Sequence, residues 1–295
     1  MTGSAGPDPA EAVPTQHESP LEDAGMNSAG GKLFTTQSDK SQNSGLDQAS
    51  HHFTVTGGES MTTPTITPIK ILWTGGWDST FRVLYVVLAE HRHVEPHYVI
   101  DTGRRTTTDE LRAISRIRNA ILELDQEAAG RISPLVLTPQ NEVPKDEEIS
   151  NAWKELRKRV DIARQYDLLA RYARSRDISG LELCVEKEGG IYDILREPGN
   201  DGGFFERFVF PVLDHSKQDM RTIAIRYGFA DILNLSWFCH RPIFGKPCGI
   251  CAPCISVVKH GLHYRISMAG LIRYHLAQRL RQSPLKPLFK WAWNR

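Results

Sequence analysis

No run in the sequence approaches the roughly 18 to 20 uninterrupted apolar residues that a membrane-spanning helix needs, and the residues after Met1 hold no apolar secretory core. A cytoplasmic protein is expected. Net charge is nearly absent, since 36 Lys and Arg against 35 Asp and Glu leave +1. That excludes a surface built throughout to grip nucleic acid, although local basic patches survive such averaging. Cysteine is scarce and odd in number, five in 295 residues, and four of the five lie between 239 and 254. Metal binding explains this better than a disulfide framework. No internal repeat is present. The apolar fraction of 40% is enough to bury a core in one large domain or two small ones.

Residues 1 to 67 are rich in Gly, Ser, Thr, Pro, Asp, Gln and Asn and lack periodicity; Leu33, Phe34, Phe53 and Val55 are isolated. Such a segment cannot bury enough to fold. It reads either as a disordered tail or as sequence upstream of a true start at Met61.

After Pro68 the pattern alternates. Ile69 to Trp73 reads as a strand, followed by a loop and a helix with Phe81, Leu84, Val87 and Leu88 on one face. Val94 to Ile100 predicts a second strand, and Thr107 to Leu124 a helix with Leu111, Ile114, Ile117 and Ile121 three or four apart. Ile132 to Leu137 predicts a third strand, and one helix should run from about Ser150 to Arg176. A fourth strand is expected at Leu181 to Val185 and a short one at Phe208 to Leu213, then a helix from Lys217 to Tyr227. Strand and helix in alternation imply an α/β fold with a doubly wound parallel sheet. The expected division is 68–236 for this domain, 237–262 for a cysteine knuckle and 263–295 for a basic helical tail. Residues 186 to 201, rich in Gly, Glu, Asp and Pro, should form a loop over the carboxyl edge of the sheet, where such folds bind ligands.

The first strand is followed by Thr74-Gly75-Gly76-Trp77-Asp78-Ser79-Thr80. Two glycines that leave a buried strand and open a helix let backbone approach an anion closely, and the helix N-terminus supplies free N–H groups. Phosphate suits that place, with Asp78, Ser79 and Thr80 adding a cap candidate and two hydroxyls. No Lys-Ser/Thr pair of a Walker loop is there, and no GxGxxG. The plain alternative is a turn that needs two glycines.

Cys239, Cys248, Cys251 and Cys254 form C-x8-C-x2-C-x2-C, with Gly249 and Pro253 helping the turn. Four thiolates can close tetrahedrally on one Zn²⁺ at about 2.3 Å, which describes a structural site. An iron–sulfur cluster or an unmetallated cluster remains the alternative. Cys184 reads as a buried strand residue.

From Lys259 to Arg295 there are eight Lys or Arg and no Asp or Glu. Leu262, Ile266, Ala269, Ile272, Leu276 and Leu280 are spaced as one apolar helix face. Either that face packs on the domain and the arginines are solvated, or Arg273, Arg279, Arg281, Lys286 and Lys290, with Trp291 and Trp293, meet nucleic acid or another anionic surface such as a membrane.

The segment Thr74 to Thr80 resembles the SGGxDS loop of the PP-loop ATP pyrophosphatases, with Thr in place of the first Ser. The resemblance implies ATP and Mg²⁺, and cleavage between the α- and β-phosphates. It implies nucleotide contacts from Trp73, Thr74, Gly75, Gly76, Trp77, Asp78, Ser79, Thr80 and Asp101. The cysteine spacing is similar to that of one PP-loop family, the 7-cyano-7-deazaguanine synthases of queuosine biosynthesis, over Ile69 to Leu262 with a divergent middle. Asp101-Thr102-Gly103-Arg104-Arg105 resembles that family's D-Y-G-Q-R turn without its Tyr and Gln. Ala163-Arg164-Gln165 resembles its G-R-N entry to a helix, and Ser216-Lys217 the T-K that opens another. By this resemblance Asp78, Ser79, Arg164 and Lys217 are the catalytic set, with the last two otherwise readable as solvated helix ends. The implied activity is ATP-dependent activation of a carboxylate, 7-carboxy-7-deazaguanine or a related acid, followed by attack of ammonia or another amine. A PP-loop tRNA-modifying enzyme and a nucleotide-binding module without turnover are the alternatives. The expected partners are ATP, a small acid, an amine donor, the anionic surface that the tail would meet, and a second copy in a homodimer.

Overall fold

Alternation along the first strand sets the architecture. In β1 (Ile69–Leu72) the Ile71 side chain enters one core and Leu72 enters another, while Trp73 returns to the first. Successive side chains of a strand point to opposite faces, so both faces of this sheet are covered. The structure, a computed structural model, describes residues 67–282 except 102, 188, 189, 198 and 200. The described residues belong to one compact unit, Met61–Arg295. The expected N-terminal segment, its alternative start at Met61, and Lys286, Lys290, Trp291 and Trp293 lie outside the described residues.

Four more strands, β2 (Val94–Ile100), β3 (Val136–Pro139), β4 (Leu181–Glu182) and β5 (Phe208–Val209), join β1 in the order β3-β2-β1-β4-β5, all parallel. Parallel neighbours require crossovers, and helices supply them. These are α1 (Trp77–Leu88), α2 (Thr107–Leu124), α3 (Gln126–Gly130), α4 (Glu147–Arg159), α5 (Gln165–Ser175), α6 (Tyr192–Arg196), α7 (Lys217–Arg226), α8 (Ala230–Asn234), α9 (Ala252–Lys259) and α10 (Met268–Gln282). One core joins α1, α2, α7 and α8 to the sheet, and the other joins α4, α5 and α6. The chain steps from β1 out to β3 and returns on the far side of β1, so the strand order reverses between β1 and β4. A crevice at the carboxyl ends of two such strands is where open α/β sheets take ligands.

Several elements differ from expectation. The third strand is Val136–Pro139, because Pro134 has no N–H to give a ladder, and Ile132 contributes only a single bridge to Val94. The helix expected from 150 to 176 is two. Asp146 caps α4 by accepting from the Ile149 N–H at 3.0 Å, and the chain turns extended at Val160 before α5 begins. The segment expected as a loop at 186–201 contains the short α6.

The tail departs most. Leu262 and Ile266 are buried, but a turn at His263–Arg265 breaks the phase and α10 begins only at Met268. Its inward side carries Gly270 and Ala277 rather than Ile272 and Leu276. Small residues permit this close seat: a Cβ on Gly270 would stand 3.0 Å from the Pro247 carbonyl oxygen. Cys239, Cys248, Cys254, Leu262 and Ile266 share the core of α1, so the described cysteine segment and the start of the tail pack on that face of the sheet.

Candidate functional site

The loop from β1 to α1 is shaped by Gly75, which has φ +69 and whose missing Cβ would stand 2.8 Å from the Glu110 carbonyl oxygen of α2. Left-handed backbone at so close an approach requires glycine. Gly76 then caps α1 in an extended conformation without a side-chain cap, which leaves the first-turn N–H groups open. The Gly75 carbonyl accepts the Trp237 N–H at 2.7 Å, tying the loop to the cysteine segment.

Three charged side chains from separate elements meet beside this loop. Lys217 Nζ donates to Glu186 Oε1 at 2.7 Å and to Asp78 Oδ1 at 3.4 Å, across 31 and 139 residues of chain. Ser216 aims the lysine. It caps α7 in a reciprocal box with Asp219, with Ser216 Oγ accepting from the Asp219 N–H. A lysine in the first turn of a helix opposes the helix dipole, and here two carboxylates compensate it. Burial raises the Asp78 carboxyl above the ordinary aspartate range, with Lys217 working against the shift and Glu186 adding to it. Burial alone would lower the Lys217 ammonium, but Asp78 and Glu186 outweigh it and hold it above its ordinary value. The two acidic side chains thus hold the lysine in its charged form in a partly buried site.

Two adjoining cavities share Thr74, Gly76, Asp78, Arg104 and His240. The larger, about 620 Å³, lies over the switch point. Its lining combines polar groups, from the glycine loop, Ser79, Asp101, Arg104 and Arg105, with apolar ones, from Leu72, Val99, Tyr166, Leu168, Leu183 and Val185. Asp101 accepts the Gly103 N–H at 2.8 Å and so closes its own turn, while Arg104 pairs with Glu110 at 3.0 Å. The smaller, about 460 Å³, runs between the loop and the cysteine segment and is lined by Lys217, Trp237, Phe238, Pro253 and Arg265.

Arg265 is the unusual member. Its guanidinium lies 4.8 Å from the ring centres of both Trp77 and Phe238. Nη2 donates to the Ser236 carbonyl and, at 2.8 Å, to Ser236 Oγ. Nε and Nη1 are buried without a hydrogen-bond partner among the described residues. Burial lowers its pKa to about 10, and no carboxylate contributes.

Of the residues singled out in the sequence, Thr74, Gly76, Trp77, Asp78, Ser79, Asp101 and Lys217 line one or both cavities. Gly75 shapes the loop from beneath. Trp73 and Thr80 are not brought there: both are fully buried, and Trp73 Nε1 donates to Thr80 Oγ1 at 3.1 Å inside the core. Residue 80 is one turn into α1, on the side that faces the sheet. Arg164 stands exposed at the start of α5, and its neighbours Gln165 and Tyr166 line the cavity instead. Glu186 and Arg265 carried no sequence signal that marked them as site residues, and Arg105 had only the resemblance of its turn. A lone glutamate at the end of a strand assumed to close in a loop has no motif to betray it.

The four clustered cysteines are held with their sulfurs within 4.8 Å of one another. Cys248 and Cys254 sulfurs are 3.8 Å apart, and Cys251 and Cys239 4.0 Å. Four sulfurs at about 2.3 Å from a tetrahedral centre stand about 3.8 Å apart, so the set fits a metal ion such as zinc. Gly249, at φ +84, makes the turn, because a Cβ there would strike the Gly270 carbonyl of α10. The Cys248 N–H points at Cys239 Sγ, and the Ile250 and Cys251 N–H groups at Cys248 Sγ. Such donors favour thiolate. The neighbouring Cys239 sulfur pulls the Cys251 thiol down, and Cys239 itself is pushed up to about 12 by Cys251. The crowded sulfurs thus compete for protons, a conflict that a cation resolves. Cys184 is apart from the cluster and borders the larger cavity, its thiol raised by burial. Among the described residues no helix is long and apolar enough to cross a membrane. Comparisons with protein-family models, with curated proteins and with solved structures find no match to this chain.

Proposed function

We propose that the chain is an ATP-dependent ligase of PP-loop type that adenylates a carboxylic acid and passes the acyl group to ammonia or another amine, as 7-cyano-7-deazaguanine synthases do. The observation that carries this reading is the convergence of Asp78, Glu186 and Lys217 beside the glycine loop at the switch point. A cation flanked by carboxylates at open helix N–H groups suits the triphosphate and its magnesium better than a neutral ligand.

The apolar side chains of the larger cavity take the adenine, and the loop N–H groups face the phosphates. Asp78 and Glu186 are hard oxygen donors suited to Mg²⁺, which when bound neutralises phosphate charge. A carboxylate oxygen of the acid attacks the α-phosphorus, a new P–O bond forms, and the bond to the β-phosphate oxygen breaks with its electron pair leaving on pyrophosphate. Lys217 and the Arg104 guanidinium stabilise that departing charge. The amine then attacks the acyl carbon, AMP leaves with the bonding pair, and the amine gives up a proton. The smaller cavity, with Arg265 and the flat faces of Trp237 and Phe238, holds the acid beside the loop. The cysteine set holds zinc in a structural role, since four protein ligands leave no open position. The cytoplasm supplies ATP and keeps such thiols reduced.

Pyrophosphate exchange into ATP, measured with a panel of carboxylic acids, tests the reading. Acid-dependent exchange that is lost in Asp78→Asn and Lys217→Met is expected. ADP as the nucleotide product, or nucleotide binding with no acid able to promote exchange, would overturn it.

A further inference from the structure

The outward face of α10 has no use in the site described above. Met268, Ile272 and Leu276 follow one another at four-residue steps and are 73%, 54% and 55% exposed. That spacing lines them up on one side of a helix. His275 and Arg279 are exposed on the same side. The opposite side is committed, with Gly270 and Ala277 buried and Arg273 Nε donating to the Cys248 carbonyl at 2.8 Å. The helix therefore cannot roll to hide its apolar stripe without abandoning the cysteine knuckle.

Charge identifies the occupant. Of the eight Lys or Arg beyond residue 258, Arg265 and Arg273 turn inward, and the other six have no Asp or Glu among them, in a chain whose total is only +1. A second copy of α10 laid on the first would bring like charges together. The following segment, 283–295, is no better suited, since it carries Lys286, Lys290 and Arg295 and no acid. A nucleic acid would satisfy the cations but offers nothing to three aliphatic side chains. An anionic lipid surface satisfies both, because the headgroups meet the cations and the acyl boundary takes the stripe. Trp291 and Trp293, with Lys286 and Lys290 nearby in sequence, are the residue types that favour that boundary.

We infer that the exposed face of α10 docks the protein reversibly on an anionic membrane surface, parallel to the bilayer and without spanning it. The inference is independent of the chemistry proposed above.

Co-sedimentation of the full chain with phosphatidylcholine vesicles, with and without about 30% phosphatidylserine, tests it. Binding is expected on the anionic vesicles, weakening as salt rises, and not on the neutral ones. Ile272→Glu with Leu276→Glu should reduce binding at least about ten-fold with an unchanged unfolding midpoint, because both side chains are more than half exposed. Arg279→Gln should reduce it by about five-fold. Failure of the full chain to bind anionic vesicles at low salt overturns the inference, as does unchanged binding by the double variant. Retention on duplex RNA without vesicle binding would assign the cations to nucleic acid. Self-association abolished by the double variant, again without vesicle binding, would assign the stripe to a second copy.

Discussion

Replacing Gly75 by alanine tests how the glycine loop is built, independently of any ligand. At φ +69 an L-residue loses about 1–2 kcal/mol relative to glycine. The new methyl would also stand 3.1 Å from Ile114 Cγ1 and 2.8 Å from the Glu110 carbonyl oxygen, which cannot retreat without moving the backbone of α2. Overpacking of that kind costs about 1–3 kcal/mol, so the variant should lose about 2–5 kcal/mol. Gly76→Ala is the matched control. Its backbone is already extended and its Cβ meets the Thr74 hydroxyl at 3.3 Å and the Trp237 carbonyl oxygen at an ordinary 3.9 Å, so its stability should fall by less than about 1 kcal/mol. Gly76 lines both cavities, however, so its alanine should weaken ATP binding in a protein that remains folded. Urea unfolding followed by tryptophan fluorescence measures the first effect and calorimetric titration with ATP the second. A Gly75→Ala protein within about 0.5 kcal/mol of the parent, or equal losses in the two variants, would refute the view that Gly75 is set by the approach of α2 and Gly76 by the ligand.

Elemental analysis should find one zinc per chain, and single Cys→Ser changes at 239, 248, 251 or 254 should lower metal content and the unfolding midpoint together, since structural metal sites couple binding to folding; Cys184→Ser should leave the metal content unchanged. Carbon-13 NMR titration of the Asp78 carboxyl, assigned by loss of its signal in Asp78→Asn, should give a pKa above the ordinary aspartate range. Lys217→Met should move it further up and Glu186→Gln should bring it down, because the lysine opposes the shift and the glutamate adds to it; movement in the other direction in either variant contradicts the geometry. Arg265→Met keeps most of the side-chain volume but removes the cation beside the smaller cavity. The KM for the acid in pyrophosphate exchange should rise about ten-fold or more while that for ATP stays near its parent value, and equal effects on both would place Arg265 outside acid binding.

The layer architecture was legible because strands here are short apolar runs between amphipathic helices, and that pattern depends only on local burial. Thr107–Leu124 appears with the expected bounds, since its apolar residues recur at helical spacing along its full length. Legibility failed where a local signal competed with a tertiary one. Ile132 has the residue type of a strand, yet Pro134 interrupts the ladder two positions later. Ile272 and Leu276 extend the helical register of Leu262 and Ile266, yet the break at His263–Arg265 rotates α10 so that glycine and alanine face inward. No periodicity analysis foresees that choice, because it is made by the backbone of Pro247 and Gly249 pressing on Gly270.

The site divides in the same way. Residues contiguous in sequence were recognisable together, as the glycine loop and the cysteine set were, because spacing alone constrains what they can hold. Residues gathered from distant segments were not. Lys217 could be nominated only through a helix-opening Ser-Lys, and Arg164 looked just as good; burial separates them, since one reaches two carboxylates and the other ends in solvent. Arg265 had been counted with a basic tail, where a sum of charges gives every arginine the same part. Its surroundings remove it from that sum: two aromatic rings cover it, Ser236 holds one nitrogen, and no carboxylate neutralises it. A buried cation with no counter-charge is costly, and the smaller cavity beside the glycine loop, which Arg265 lines, is a place where an anion would relieve that cost. The described part of the tail therefore divides, with Arg265 and Arg273 turned inward to the loop and the cysteine knuckle while Arg279 faces outward with the apolar stripe of α10.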